Sequence, residues 1–242
     1  MLNREKELAI QRLVDFINKL PHDLYITISL EGNIGAGKST LLKLIQKELG
    51  DVVEIIQEPV DIWTNCNGVD ILGMFYSNME RYAYTFQTVT FTTRLAIFNQ
   101  TPRLKRIRII ERSALTDKLF AENCHEGGAM SDNEMNIYNA LWDFYVKNQN
   151  GTPDGIIYLS TEPKTCEHRM KIRDRKEEAG VPITYLEKLD YKHKLWVKEI
   201  QKTVPVCEVP SELNYFKDNA GQAKLVDKLH KLIRKISDKK IN

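Results

Sequence analysis

Apolar residues in this chain recur in two rhythms. Short, mostly apolar runs occupy residues 25–30, 52–56, 107–110, 156–159 and 204–208, the length and β-branched content expected of buried strands. Between them lie longer stretches at helical spacing, at 70–100, ending before Pro102, and at 132–148 and 183–202. Near the start, Leu13, Val14, Ile17 and Leu20 predict an amphipathic helix within residues 1–24, closed by Pro21. Strand alternating with helix predicts an α/β fold: a five-stranded parallel sheet flanked by helices on both faces. No linker or repeat divides the pattern, so residues 1–242 read as one domain. The lysine-rich tail reads as a solvated helix end.

Composition removes several alternatives. The 35 basic and 33 acidic residues leave a formal charge of only +2, so bulk charge favours neither nucleic acid nor a membrane surface as partner. No stretch reaches the roughly 18 apolar residues of a membrane span. Cys66, Cys124, Cys166 and Cys207 are far apart with no Cys-x-x-Cys, which points to thiols in a reducing compartment rather than zinc ligands or a disulfide framework. The first 24 residues mix Arg4, Lys6, Arg12 and Lys19 with Glu5, Glu7, Asp15 and Asp23. That pattern is neither a secretory signal nor a transit peptide, and a cytoplasmic location is the expectation.

The chemistry begins directly after the first apolar run. Gly32, Asn33, Ile34, Gly35, Ala36, Gly37, Lys38, Ser39 and Thr40 follow the Gly-x-x-x-x-Gly-Lys-Ser/Thr pattern of a phosphate cradle between strand and helix. Its glycines let successive N–H groups face a polyphosphate, Lys38 reaches the terminal phosphates and Ser39 offers a hydroxyl to Mg²⁺. Thr40 is expected to help start a helix over 41–49, ended by Gly50. In open α/β sheets ligands bind at the carboxyl ends of strands, so the residues after the other runs matter next. Glu58 stands before Pro59 after the second run, Glu111-Arg112-Ser113 follows the third, and Arg169, Arg173 and Arg175 form a basic cluster ending near Gly180. Taken alone, these fit a solvated turn acid, a structural ion pair and a solvated helix face. Together with the cradle they are the parts needed to move a phosphoryl group onto a hydroxyl.

The ordered motifs GNIGAGKST, QEPV, MERYAYTFQ, ERS, RMKIRDRKEEAG and YLEKLDYKHKLW, within residues 27–216, resemble the eukaryotic and viral deoxyribonucleoside kinase family, especially its deoxycytidine and deoxyguanosine kinase branch. The resemblance implies a P-loop kinase fold with a short basic lid at about residues 169–180. The implied reaction moves the γ-phosphate of ATP, or another NTP, to a deoxynucleoside 5′-hydroxyl with Mg²⁺, in nucleotide salvage. It makes Glu58 the general base, Arg112 the bridge between 5′-oxygen and phosphates, Glu111 a metal-site partner of Ser39, and Arg169, Arg173 and Arg175 the lid arginines. Tyr76 and Glu178 match the pair that holds the sugar 3′-hydroxyl, Phe86 the ring stacked on the base, and Gln87 the amide reading the base edge. Ile34, Trp63 and Phe120 match pocket walls, and Tyr215 and Phe216 the packing of the donor adenine. A homodimer through residues 70–100 and 132–148, with Trp142 and Phe144 as interface aromatics, is also implied.

Gln87 alone does not choose a base, because its amide suits cytosine or, rotated, thymine. Arg94 and Asp117 match an Arg–Asp pair that thymidine-accepting members lack. A carboxylate accepts from a base amine but repels thymine's carbonyl, which favours deoxycytidine, deoxyadenosine or deoxyguanosine. The rival readings are a nucleoside monophosphate kinase of the thymidylate kinase type and a non-catalytic P-loop nucleotide-binding protein. The first would set Glu58 against the charged phosphate of its acceptor; the second needs neither Glu58 nor Gln87.

Overall fold

A computed structural model describes residues 2–148, 152–210, 215 and 218–241. In chain order it contains α1 (Leu2–Lys19), β1 (Ile26–Glu31), α2 (Lys38–Leu49), β2 (Val53–Ile56), α3 (Val60–Thr64), α4 (Ile71–Ser77), α5 (Met79–Gln100), β3 (Ile107–Glu111), α6 (Ala114–Glu126) and α7 (Asp132–Asn148). Then follow β4 (Gly155–Ser160), α8 (Pro163–Arg173), a 3₁₀ turn (Lys176–Glu178), α9 (Ile183–Ile200), β5 (Val206–Pro210) and α10 (Asn219–Ile241). The described strands form one five-stranded, all-parallel sheet in the order β2-β3-β1-β4-β5. β1 and β3 are buried along their whole length, as expected of central strands covered on both faces.

Among the described residues two large apolar cores separate along this architecture, beside a small cluster of Ile156, Tyr158 and Val204. The main one joins α1, α2 and α10 to the sheet through residues such as Leu13, Ile28, Leu41, Ile109, Leu229 and Ile233. The second gathers Trp63, Phe75, Phe86, Phe91, Leu115 and Tyr138 from α3 to α7. The helices α3 to α7 thereby form a subassembly with its own apolar interior, and that subassembly walls one side of the site.

The structure departs from the sequence expectation at several places. The stretch 70–100 is two helices, because Asn78 (φ −153°) ends α4 and its side chain accepts from Arg81 N to open α5. The helix after the cradle starts at Lys38, with Gly37 (φ 101°) at its head, so Thr40 lies inside it. The fifth strand lies two residues later than expected. The basic tail is more than a solvated end: α10 buries Leu225, Leu229, Leu232 and Ile236, and Lys240 bonds Asp154 and the Tyr25 carbonyl. The segment before α7 closes a capping box, in which Ser131 Oγ receives Glu134 N while Glu134 receives Ser131 N.

Candidate active site

The strand ends singled out by sequence open on one side of the sheet. The β1–β3 register sets Leu30 beside Glu111, so the glycine-rich loop and the Glu111-Arg112-Ser113 turn leave the sheet as neighbours. β2 pairs with β3 on the other side and delivers Glu58 next to them. These segments, the α3–α6 subassembly and the 169–178 segment enclose a cavity of about 690 Å³, ample for a small ligand.

The glycine-rich loop is folded around its own backbone. Gly35 (φ 74°) lies so close to α8 that a Cβ there would stand 2.4 Å from the Cys166 carbonyl, which leaves no room for another residue. Lys38 Nζ donates to the carbonyls of Gly32 (3.2 Å) and Asn33 (2.9 Å). Asn33 is held in turn by the Leu186 carbonyl and by Ile34 N–H. Ile34, Gly35, Gly37, Lys38, Ser39 and Thr40 face the cavity, while Gly32, Asn33 and Ala36 stand behind them. Burial lowers the Lys38 ammonium to about 8, with the Arg112 charge pushing the same way. Ser39 Oγ donates to Glu111 Oε1 at 2.8 Å, which brings the two expected metal-site residues together.

A network of buried charges joins the loop to the helices. Arg112 adopts a left-handed backbone (φ 59°), rare for a side chain of this size. Its Nη1 donates to both carboxylate oxygens of Glu58 (2.9 and 3.0 Å), and its Nη2 to the Gly32 carbonyl (3.2 Å). Arg94 Nη1 meets the same Glu58 at 3.0 Å, while Arg94 Nε and Nη2 form a fork on Asp117 at 2.9 and 3.0 Å. Burial would raise the Glu58 carboxyl, but Arg112, Arg94 and Lys38 overcome it and hold the group down at about 2. Asp117 is pushed up by burial against the opposing pull of Arg94.

The far end of the cavity is aromatic. Phe86 stacks on Phe75 (centroids 4.6 Å, 16°) and meets Trp63 edge-on. Trp63 is fixed by its Nε1 bond to Thr93 Oγ1 (2.9 Å), and Phe120 lies 4.8 Å beneath the Arg112 guanidinium. Gln87 faces the cavity and anchors its amide nitrogen on Cys124 Sγ at 3.6 Å. Burial pushes the Tyr76 phenol up, and the nearby Glu178 carboxylate adds to the effect. Glu178 is gripped by Arg173 and, at 2.6 Å, by Arg175. Arg169 donates to the Ala36 carbonyl at 2.7 Å, so the 169–178 segment already lies against the loop.

Nearly all the residues singled out from sequence therefore converge on one cavity. Besides Gly32, Asn33 and Ala36 behind the wall, the exceptions lie toward the carboxyl end: Tyr215 is buried in the main core, away from the cavity wall, and Phe216 lies outside the described residues. Tyr185 and Glu31 are among the participants that were not foreseen. Tyr185 joins the wall, and Glu31, buried beneath the loop, binds Ser113 and Thr116. A charged residue ending an apolar strand just before the motif was the available signal for the second. On α7, Trp142 is engaged inside the chain through its Nε1 bond to the Ala114 carbonyl, whereas Phe144 is 61% exposed.

Comparison with known proteins agrees with this geometry. Residues 28–234 match the deoxynucleoside kinase family model. Human deoxycytidine kinase is 40% identical over 70% of this chain and 74% of its own length. A probable deoxycytidine kinase of fowlpox virus is 34% identical over 96% and 98%, respectively. Human mitochondrial thymidine kinase 2 is 34% identical over 70% of this chain and 63% of its own length. With cradle, buried carboxylate, arginines and aromatic pocket in one cavity, the chain belongs to the deoxynucleoside kinase family.

Proposed function

We propose that this phosphotransferase takes the γ-phosphoryl group of ATP, or another NTP, and passes it to the 5′-hydroxyl of deoxycytidine, deoxyadenosine or deoxyguanosine in preference to thymidine. The observation that carries the reading is the placement of Glu58, which stands between Arg112 at the phosphate loop and Arg94 at the base-reading pair. In this reading the nucleoside base lies against Phe86, its edge reaches Gln87 and Asp117, and its 3′-hydroxyl meets Tyr76 and Glu178. The 5′-hydroxyl then faces Glu58. As its oxygen attacks the γ-phosphorus, Glu58 takes the proton, the bond to the departing nucleoside diphosphate breaks, and Arg112 with the lid arginines neutralises charge on the transferring group.

A carboxylate held at about 2 is a weak base. Donor phosphates competing for Arg112 would remove one of its counter-charges and raise its proton affinity when both substrates are present. Ser39 and Glu111 supply hard oxygen ligands 2.8 Å apart, a set that fits Mg²⁺ held jointly by protein and phosphates. Bound there, Mg²⁺ would neutralise phosphate charge. Relatives named as deoxycytidine kinase and as thymidine kinase both match, so the base preference rests on the Arg94–Asp117 fork. A monophosphate acceptor is disfavoured because its charge would meet Glu58.

The test is ATP turnover with each of the four deoxynucleosides. Nucleoside-dependent turnover, slowest with thymidine, supports the proposal. Fastest turnover with thymidine overturns the base preference, and nucleoside-independent hydrolysis overturns the transfer. Pairing of two copies through residues 70–100 (α4 and α5) and 132–148 (α7) is part of the same reading, supported by Ile137 and Phe144, 52% and 61% exposed and seven residues apart on α7. Phe144→Asp should shift the sedimenting species from dimer to monomer. The four unpaired cysteines favour a reducing, cytoplasmic setting.

A further inference from the structure

We infer that Glu31 is a positioning residue for Arg112. Glu31 ends β1 with no exposed surface, one residue before the phosphate loop. Its Oε1 accepts from Ser113 N (3.0 Å) and Ser113 Oγ (2.7 Å), and its Oε2 from Thr116 Oγ1 (2.7 Å). The preceding carbonyl, Leu30 O, accepts from Arg112 N at 3.0 Å. Two consecutive residues of β1 thus hold two consecutive residues of the turn after β3.

The first of these two residues, Arg112, is the one with the left-handed backbone. A non-glycine residue at φ 59° persists only where its surroundings over-determine it. The carboxylate supplies that constraint. With three donors directed at it, an acceptor-only group is the chemical match for the site. Arg112 is consequently aimed between Glu58 and the Gly32 carbonyl, the place from which it would reach both the 5′-oxygen and the phosphates. Thr116 adjoins Asp117, so the same carboxylate also seats the first turn of α6.

The inference rests on the proposed role of Arg112 at the transferring phosphoryl group. Glu31→Gln retains an acceptor for Ser113 but sets an amide N–H₂ against Thr116, whose hydroxyl has an alternative acceptor in the Ser113 carbonyl at 3.2 Å. That variant should fold. Its kcat should fall about tenfold, as expected of a displaced catalytic group, with nucleoside KM within about twofold and the melting temperature nearly unchanged. Glu31→Ala should lose on the order of 100-fold in kcat.

A double-mutant cycle with Arg112→Lys separates positioning from general support. Once the guanidinium is gone, Glu31→Gln should cost less than about twofold more in kcat. Unchanged kcat in Glu31→Gln, an effect on KM alone, or a full tenfold loss retained in the Arg112→Lys background overturns the inference. An Arg112→Lys enzyme with normal kcat overturns the reading of Arg112 and, with it, this inference. A disabled Arg112→Lys enzyme beside an unaffected Glu31→Gln overturns the inference alone.

Discussion

The two ends of the cavity are built by different means. The phosphate end is built around one contiguous segment, with Lys38 bonding carbonyls five and six residues before it, to which Glu111, Arg112 and Arg169 are added from elsewhere in the chain. The nucleoside end is assembled from side chains far apart in sequence: Glu58 meets Arg112 across 54 residues and Arg94 across 36, and Arg94 meets Asp117 across 23. Backbone groups cannot be substituted away, so the loop itself is fixed in chemistry, and the charge at this end is set by Lys38, Glu111, Arg112 and the lid. The second consists of paired buried charges, where removing one partner strands the other. Substitutions should therefore affect one end through donor binding and stabilisation of the transferring phosphoryl group, and the other through proton transfer and base choice.

The largest expected effect falls where the ends meet. Glu58→Gln should lower kcat by about 10²- to 10⁴-fold while nucleoside affinity, measured by titration, changes little. Turnover close to normal would remove Glu58 as the base. Its folded-state pKa, held at about 2 against an ordinary 4.5, also stabilises the fold above about pH 4.5, and that contribution is lost as pH falls from there toward 2. The Gln variant should show less of this acid-side loss.

At the phosphate end, Lys38→Met should lower kcat by about 10²- to 10³-fold. Wild type offers a gentler probe. Lys38 is charged below its pKa, which burial has moved down to about 8, so its attraction for phosphate fades as pH rises through that value. kcat/KM for the donor should bend downward near pH 8, with no matching bend in nucleoside affinity. A profile flat to pH 10 would contradict the lowered value.

At the nucleoside end, Arg94→Met combined with Asp117→Ala should raise kcat/KM for thymidine by on the order of tenfold or more, the scale on which a reshaped pocket discriminates. The structure adds a cost that the sequence did not reveal: Arg94 also bonds Glu58. Turnover with deoxycytidine should consequently fall in the same variant. No gain with thymidine would remove the fork as the specificity element.

The same contrast explains what the sequence disclosed. The strands were visible as apolar runs, and the cradle was visible because its geometry depends on a local pattern of glycines. Glu58 and Arg112 could be placed at strand ends, yet their bonds to each other and to Arg94 depend on sheet order, which periodicity does not encode. Arg108 shows the limit inside a correctly read strand. It is buried, binds Glu54, and satisfies the carbonyls of Phe98, Thr101 and Pro102 at the end of α5. The packing of α10 was hidden by its lysines, although its buried leucines and isoleucines keep helical spacing. Helical spacing also runs across Asn78 without showing the break.

That break offers the smallest and most selective test of the two-ended picture. Asn78 N–H closes α4 on the Met74 carbonyl (3.1 Å), and its side chain opens α5 on Arg81 N (3.1 Å). Asn78→Ala keeps the first bond and loses the second, at about 1 kcal/mol, typical of a lost helix cap. For a chain of this size the melting temperature should drop by about 2–4 °C. α4 carries Tyr76, and α5 carries Phe86, Gln87 and Arg94, so the loosened joint bears chiefly on the nucleoside end, with α4 also packed against the 176–178 turn of the lid. Nucleoside KM should rise by about fivefold at most, the equivalent of the lost cap energy, while donor KM stays in place. Donor KM moving in parallel would show that the two ends yield together, and the separation drawn from their construction would not hold.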